Sequence, residues 1–392
     1  MKINSNFTKL QKTYIFAEVA ERVKAYKQTN PNAEIVTLGI GDVSLPLVPV
    51  GVEAMNKAAT ELGQKETFRG YGDEQGYLFL REALCNYVAK KGFQFSPDEI
   101  FINEGIQSEI GSILDLFGAG NKMIAPNPAY PLYAESNVIA GNDLAFVHGT
   151  ETNSFLPMPN HEESADVIYL CSPSNPAGSV YNREQLKEWV DYAIKNDAII
   201  IFDGAYESFI RDKNLPRGIY EIDGAKECVI GVGTFSKSAA FTGIRCGCTI
   251  IPKELERNGI NINRLYLRRQ NSKYNGVSYV VQRAAEAVLT EEGLKQNRES
   301  VNYYLENANI ILEEMKNLGF WMTGGQNSPF IWLKCPEGKT SWEFFDYLLE
   351  NANVVGTPGI GFGDSGEGYF RFSALGSREN IIKAMERISH CF

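Results

Sequence analysis

Lys237 lies in TFSKSAAFTGIR (234–245), directly beyond the apolar segment CVIGVGTF (228–235). A lysine past the end of a strand points into the crevice where open α/β sheets bind ligands. Its amine can condense with an aldehyde, and once released it can carry a proton as general base and acid. Thr234, Ser236 and Arg245 flank it with hydroxyls and a guanidinium, groups that grip phosphate oxygens. Asp203 ends AIIIFD (198–203), an apolar run closing on a carboxylate that needs a cationic partner if buried. Tyr206 follows three residues on, and Asn175 sits in CSPSNPAG (171–178), whose prolines and glycine fix a tight loop. NEGIQSEIGS (103–112) opens a helix after a strand, so the free N–H groups of Ile106, Gln107 and Ser108 form an anion site. Tyr130, in PNPAYPLY (126–133), offers a ring for stacking, with Tyr133 behind it. Taken singly, each has a plainer account: an exposed turn at Lys237, a helix cap at Asp203, a core tyrosine at 130.

Together they meet the needs of one cofactor, pyridoxal phosphate. Lys237 would hold its aldehyde as a Schiff base, and Asp203 would keep the pyridine nitrogen protonated. Tyr206 and Asn175 would meet the phenolic oxygen, and Tyr130 would cover the ring. Ile106, Gln107, Ser108, Thr234, Ser236 and Arg245 would take the phosphate. No metal site is expected: Cys246 and Cys248 form a CxC pair, but no second pair or nearby His completes a zinc set. GIGFGDSGEG is no nucleotide loop, because no GK[ST] follows.

The elements that must position these groups alternate. Strands are expected at 99–103, 122–126, 144–148, 166–173, 198–203 and 228–235, with another at 247–252. Continuous apolar runs fit strands buried on both faces of a mainly parallel sheet. Helices lie between them, such as 183–196 with Leu186, Val190 and Ile194 on one face. The alternation predicts a doubly wound α/β domain. Ile15, Phe16, Val19, Val23 and Tyr26 predict an amphipathic helix over 15–28, and 278–316 reads as one long, kinked helix. Short strands follow at 330–335, in NVVGTPG and at 369–375, an α+β unit. We expect a large domain at 42–285 and a small one from 1–41 and 286–392.

The chain has 392 residues, 44% of them hydrophobic and 22% charged, an ordinary balance for a globular protein. Its net charge of −10 argues against general affinity for nucleic acid or anionic membrane. The N-terminal stretch shows no apolar run of signal-peptide type, and the seven scattered cysteines suggest no disulfide framework, so a cytoplasmic location is expected.

SNPAG, FDGAY and FSKxxxFTGIR in that order resemble the fold type I aminotransferases, and the likeness spans most of the chain. TYIFAEV, LGIGDVSLPL, FRGYGDEQG, PAYPLYAESNVIAG, RRQNSKYNG and TPGIGFGDSGEGYFRFSALG resemble most the LL-diaminopimelate aminotransferase family. The resemblance implies amino-acid and 2-oxo-acid substrates, 2-oxoglutarate as acceptor, a place in lysine biosynthesis, and a homodimer with shared active sites. By the same resemblance Tyr71 and Asn275 would cross to the neighbouring subunit, and Arg371 would clamp the α-carboxylate. Tyr14 and Gly41 would line the substrate site, Glu74 would meet the distal ammonium, and Asn175 would also face substrate. One departure stands out: where that family carries Gly-Ala-Lys, this chain has Gly105-Ile106-Gln107, which removes a cation from the substrate side. A relative acting on lysine or another amino acid is therefore an alternative. A lyase on the same cofactor is another, since it shares the Asp, Asn and Lys set. A regulator with a fused DNA-binding segment is disfavoured, because the stretch before Gly39 is too short for one.

Overall fold

A computed structural model describes residues 1–10, 14–39 and 41–392. The first strand, β1 (Val36–Thr37), is only two residues long. The apolar runs then form β2 (Ile100–Asn103), β3 (Lys122–Asn127), β4 (Asp143–His148), β5 (Val167–Cys171), β6 (Ile199–Asp203), β7 (Val229–Thr234) and β8 (Gly247–Ile250). These make one sheet in the order β2-β8-β7-β6-β5-β3-β4. The pairs β3–β4, β3–β5, β5–β6 and β6–β7 are parallel, and β8 is antiparallel to both β2 and β7. Every residue of β5 and β6 is buried, as strands covered on both faces require. Each fully buried aliphatic side chain there contributes about 1.5–3 kcal/mol. The chain winds one way from β3 to β4 and the other from β5 to β7. This reversal sets the crevice beyond the carboxyl ends of β3, β5 and β6.

Beyond a small hairpin, β9 (Glu256–Arg257) and β10 (Ile260–Asn261), the chain builds a second sheet. The C-terminal strands are β11 (Met322–Gly324), β12 (Phe330–Lys334), β13 (Val354–Val355), β14 (Thr357–Pro358) and β15 (Tyr369–Ser373). β11-β12-β15-β14 form an antiparallel sheet, while β13 pairs in parallel with β1, Val36 opposite Val354. The N-terminal segment is thus tied to the C-terminal one. The helix Ile15–Thr29 buries Ile15 and packs Val19, Val23 and Tyr26 on the same C-terminal core.

Two local expectations are corrected. The stretch 278–316 is two helices, Tyr279–Ala287 and Glu291–Asn317. Thr290 caps the second by accepting from the Gly293 N–H at 3.2 Å. A Cβ on Gly293 would lie 2.4 Å from the Ala287 carbonyl oxygen, so the break depends on glycine there. In the helix Arg183–Lys195 the buried face is Leu186, Trp189, Val190 and Ala193, whereas Ile194 is 43% exposed. Eight residues from Leu186 at 100° each leave Ile194 on the border of that face.

Candidate active site

The carboxyl ends of the parallel strands open into a cavity of about 890 Å³, walled on the other side by the C-terminal sheet and the helix Ile15–Thr29. Lys237, Asp203, Asn175, Tyr206, Thr234, Ser236, Arg245, Ile106, Gln107, Tyr130, Gly41 and Arg371 all line it.

Asp203, the last residue of β6, is buried and faces no cation among the described residues. Its Oδ2 accepts from the Tyr133 hydroxyl at 2.7 Å and its Oδ1 from the Ala205 N–H at 2.9 Å. Burial pushes the carboxyl up to about 6, against these two donors. An ionised carboxylate held by neutral donors alone lacks the partner that a pyridinium N–H supplies. Tyr133 thus anchors Asp203 and also packs edge-on behind Tyr130, with ring centroids 6.2 Å apart. Its ring stacks on Tyr169 with centroids 5.2 Å apart.

Lys237 follows β7, and its Nζ donates to the Gly41 carbonyl oxygen. Burial lowers the amine to about 8; Asp42 opposes this, and the Arg371 and Arg245 charges add to it. Arg245 holds a left-handed backbone, φ 59°, a conformation that costs a non-glycine residue about 1 kcal/mol or more. That turn brings its Nη1 to 3.2 Å from the Ser236 hydroxyl, itself 2.8 Å from the Thr234 hydroxyl.

The helix Ile106–Ile113 points its N-terminus at the same spot. Gly105 precedes it at φ 93°, ψ 167°, and a Cβ there would lie 2.8 Å from Arg245 Nη2. Asn103 Oδ1 accepts from the Gly105 N–H at 2.8 Å and shapes this turn. Asn103 closes the apolar strand β2 as Asp203 closes β6, so the signal that marks one marks the other, and the sequence reading missed it. The Ser108 hydroxyl turns back to the Gly105 carbonyl, and the residue does not line the cavity. Gln107 accepts from the Tyr130 hydroxyl.

Arg371, on β15, is 1% exposed. Its Nη1 donates to Asn175 Oδ1 at 2.6 Å and its Nη2 to the Gly39 carbonyl at 2.7 Å, while Nε has no partner. Phe330 and Phe362 lie 4.4 and 4.8 Å from the guanidinium carbon. Burial lowers its affinity for the proton to about 10, yet it stays charged. No carboxylate reaches this cation among the described residues, so an anion from outside fits it. Tyr206 is buried beside it, edge-on to Phe330 at 4.9 Å.

Tyr14, Tyr71, Glu74 and Asn275 do not line the cavity within one chain. Tyr14 is half-buried near it, and burial together with the Tyr130 phenol raises its hydroxyl well above the ordinary range. Tyr71 is 92% exposed and Asn275 is exposed. Phe16, Val19, Val23, Lys24 and Lys27 of the N-terminal helix line the cavity without having been singled out, since their spacing announces only an amphipathic helix.

The carboxylate without a cation, the softened amine and the glycine-lined phosphate cradle fit pyridoxal phosphate. The model of aminotransferase class I and II matches residues 33–388. A curated relative from Lachnospira eligens, LL-diaminopimelate aminotransferase, is 48% identical over 99% of each chain. The protein of the same name from Bacteroides fragilis is 47% identical, again over 99% of each. The solved L,L-diaminopimelate aminotransferase from Chlamydomonas reinhardtii superposes with a TM-score of 0.94 at 39% identity, covering 100% of this chain and 99% of that one. The chain belongs to the class I and II aminotransferases, the pyridoxal-phosphate-dependent enzymes of the aspartate aminotransferase-like fold.

Proposed function

We propose that this aminotransferase takes the amino group from LL-diaminopimelate and passes it to 2-oxoglutarate, as a homodimer with shared active sites. The observation that carries the reading is the convergence of Lys237, Asp203, Asn175, Tyr206, Arg245 and Arg371 on one cavity. Full-length identity of 47–48% to proteins named for diaminopimelate supports the substrate.

When bound, pyridoxal phosphate supplies an aldehyde that engages amines and a protonated ring that draws electrons from the substrate's α-carbon. The chain's residues do the rest. Asp203 would hold a proton on the ring nitrogen, and Tyr133 orients Asp203. Tyr206 and Asn175 would meet the phenolic oxygen, and Tyr130 would cover the ring. Arg245, Ser236, Thr234 and the Ile106 and Gln107 amides would hold the phosphate. Arg371 clamps the α-carboxylate beside Asn175. Lys237 Nζ, with its proton affinity lowered to about 8, is the group that would take the substrate's α-proton and carry it as general base and acid. Gly41 and Tyr14 shape the substrate wall, and Glu74 of the neighbouring subunit meets the distal ammonium. Tyr71 and Asn275 reach across to the partner's site. The exposure of Tyr71 and Phe68, 92% and 66%, supports a covering subunit. Sheet membership supports a large domain at 42–285 and a small one from 1–41 and 286–392. All seven cysteines are free thiols, which supports a reducing cytoplasmic compartment. No helix is long and apolar enough to cross a membrane among the described residues.

Gln107 favours a second reading, a related amino acid such as lysine as donor. It stands on the cavity wall, neutral and engaged by Tyr130, where the family resemblance calls for a cation. Purified enzyme assayed with 2-oxoglutarate against LL-diaminopimelate, lysine, glutamate and aromatic amino acids separates the two. We expect the highest kcat/KM with LL-diaminopimelate; a clear preference for another donor refutes that substrate. Turnover without any 2-oxo acid would identify a lyase instead.

A further inference from the structure

A second cavity, about 340 Å³, adjoins the first: Ala205 and Thr234 line both. Arg211, Arg217 and Arg298 line it, and none forms a salt bridge among the described residues. Among the described residues the Arg211 guanidinium donates only to the Ser208 and Ile210 carbonyls and to Asn302, and that of Arg217 only to the Ile210 carbonyl. Arg298 has no side-chain hydrogen bond among the described residues. Burial lowers the proton affinity of Arg211, and the charges of Arg217 and Arg298 lower it further, so the three cations feel one another. The carboxylate in the same wall, Glu207, is already taken by Lys91 and the Tyr87 hydroxyl.

Asn297, 8% exposed, and Ser208 complete the wall, but Asn297 Oδ1 and the Ser208 hydroxyl are themselves sealed from the cavity and have no partner among the described residues. A ligand that accepts from guanidinium N–H groups matches the donors that face it. On a chain of net charge −10, a cleft with three unpaired arginines selects anions locally.

We infer that this cavity, framed by Arg211, Arg217 and Arg298 and by Asn297 and Ser208, binds a phosphate group, free or as the monoester of a small hydroxylated metabolite. Planar guanidinium forks match phosphate oxygens. The volume exceeds that of a lone ion and stands at the low end for small-molecule sites.

Calorimetric titration of the cofactor-loaded enzyme with inorganic phosphate and, separately, with sn-glycerol 3-phosphate tests the site. The cofactor's own phosphate then occupies the active-site cradle. Saturable binding is expected, weakened by about tenfold or more in Arg298→Glu and further in the Arg211→Ala/Arg298→Ala pair. It should persist in Arg371→Lys. The Arg298 side chain makes no hydrogen bond among the described residues, so its substitution leaves the fold intact, and the cofactor absorbance of the variant checks this. Equal affinities assign free phosphate as the ligand, and tighter binding of the ester assigns a phosphomonoester. Absence of saturable binding, unchanged affinity in both variants, or loss of binding in Arg371→Lys overturns the proposal.

Discussion

At the scale of single residues, Asp203 sets function against stability. Its carboxyl is raised from 3.8 to about 6 because folding buries it among neutral donors. A raised carboxyl destabilises the folded chain once ionised: the penalty is absent below the unfolded value, grows between 3.8 and about 6, and is complete above that. Two units correspond to about 3 kcal/mol. Cofactor-free Asp203→Asn should therefore melt higher than the cofactor-free parent at pH 7, with the gap closing as pH falls towards 4. Equal melting temperatures at pH 7 would show that Asp203 carries no such cost. Lys237→Ala should leave no cofactor attached to the chain after borohydride reduction, as read by mass spectrometry. Arg371→Ala should raise the amino-acid KM by on the order of 100-fold, the loss of a two-pronged ionic contact. An unchanged KM would give the α-carboxylate to another group.

At the scale of elements, the phosphate cradle is a junction of three chain segments. The helix Ile106–Ile113 supplies free amides, the turn after β7 supplies hydroxyls, and a left-handed Arg245 closes the ring. Gly105 sits at φ 93°, ψ 167°, a region that residues with a Cβ hardly enter. Gly105→Ala costs about 1–3 kcal/mol in backbone strain and pushes on Arg245, so cofactor affinity should fall by about tenfold or more. Fluorescence titration of the cofactor-free variant reads this directly. The cradle was legible in NEGIQSEIGS and FSKxxxFTGIR because a strand end followed by a helix start makes an anion site on its own. The break at Thr290 was less legible, since amphipathic spacing runs through it and only packing of Gly293 on Ala287 separates the two helices.

At the scale of the whole molecule, one chain leaves Tyr71, Glu74 and Asn275 away from the cavity. If Tyr71 completes the partner's site, mixing a Lys237→Ala chain with a Tyr71→Phe chain should restore activity. One of the two sites in the mixed dimer then combines an intact Lys237 with an intact Tyr71. A mixture no more active than either parent, under conditions where subunits exchange, would confine each site to its own chain.

The sequence by itself determined the fold class, the strand ends that carry Lys237, Asp203 and the phosphate loop, and the alternation that makes a mainly parallel sheet. These follow from apolar runs closing on polar residues, a pattern written locally along the chain. Only the tertiary structure decided that Tyr133 anchors Asp203, that Arg371 lies buried against Asn175 and Phe330, and that the helix Ile15–Thr29 walls the cavity. The Tyr133–Asp203 and Asn175–Arg371 contacts join residues 70 and 196 positions apart, and no local spacing encodes which distant surfaces will meet.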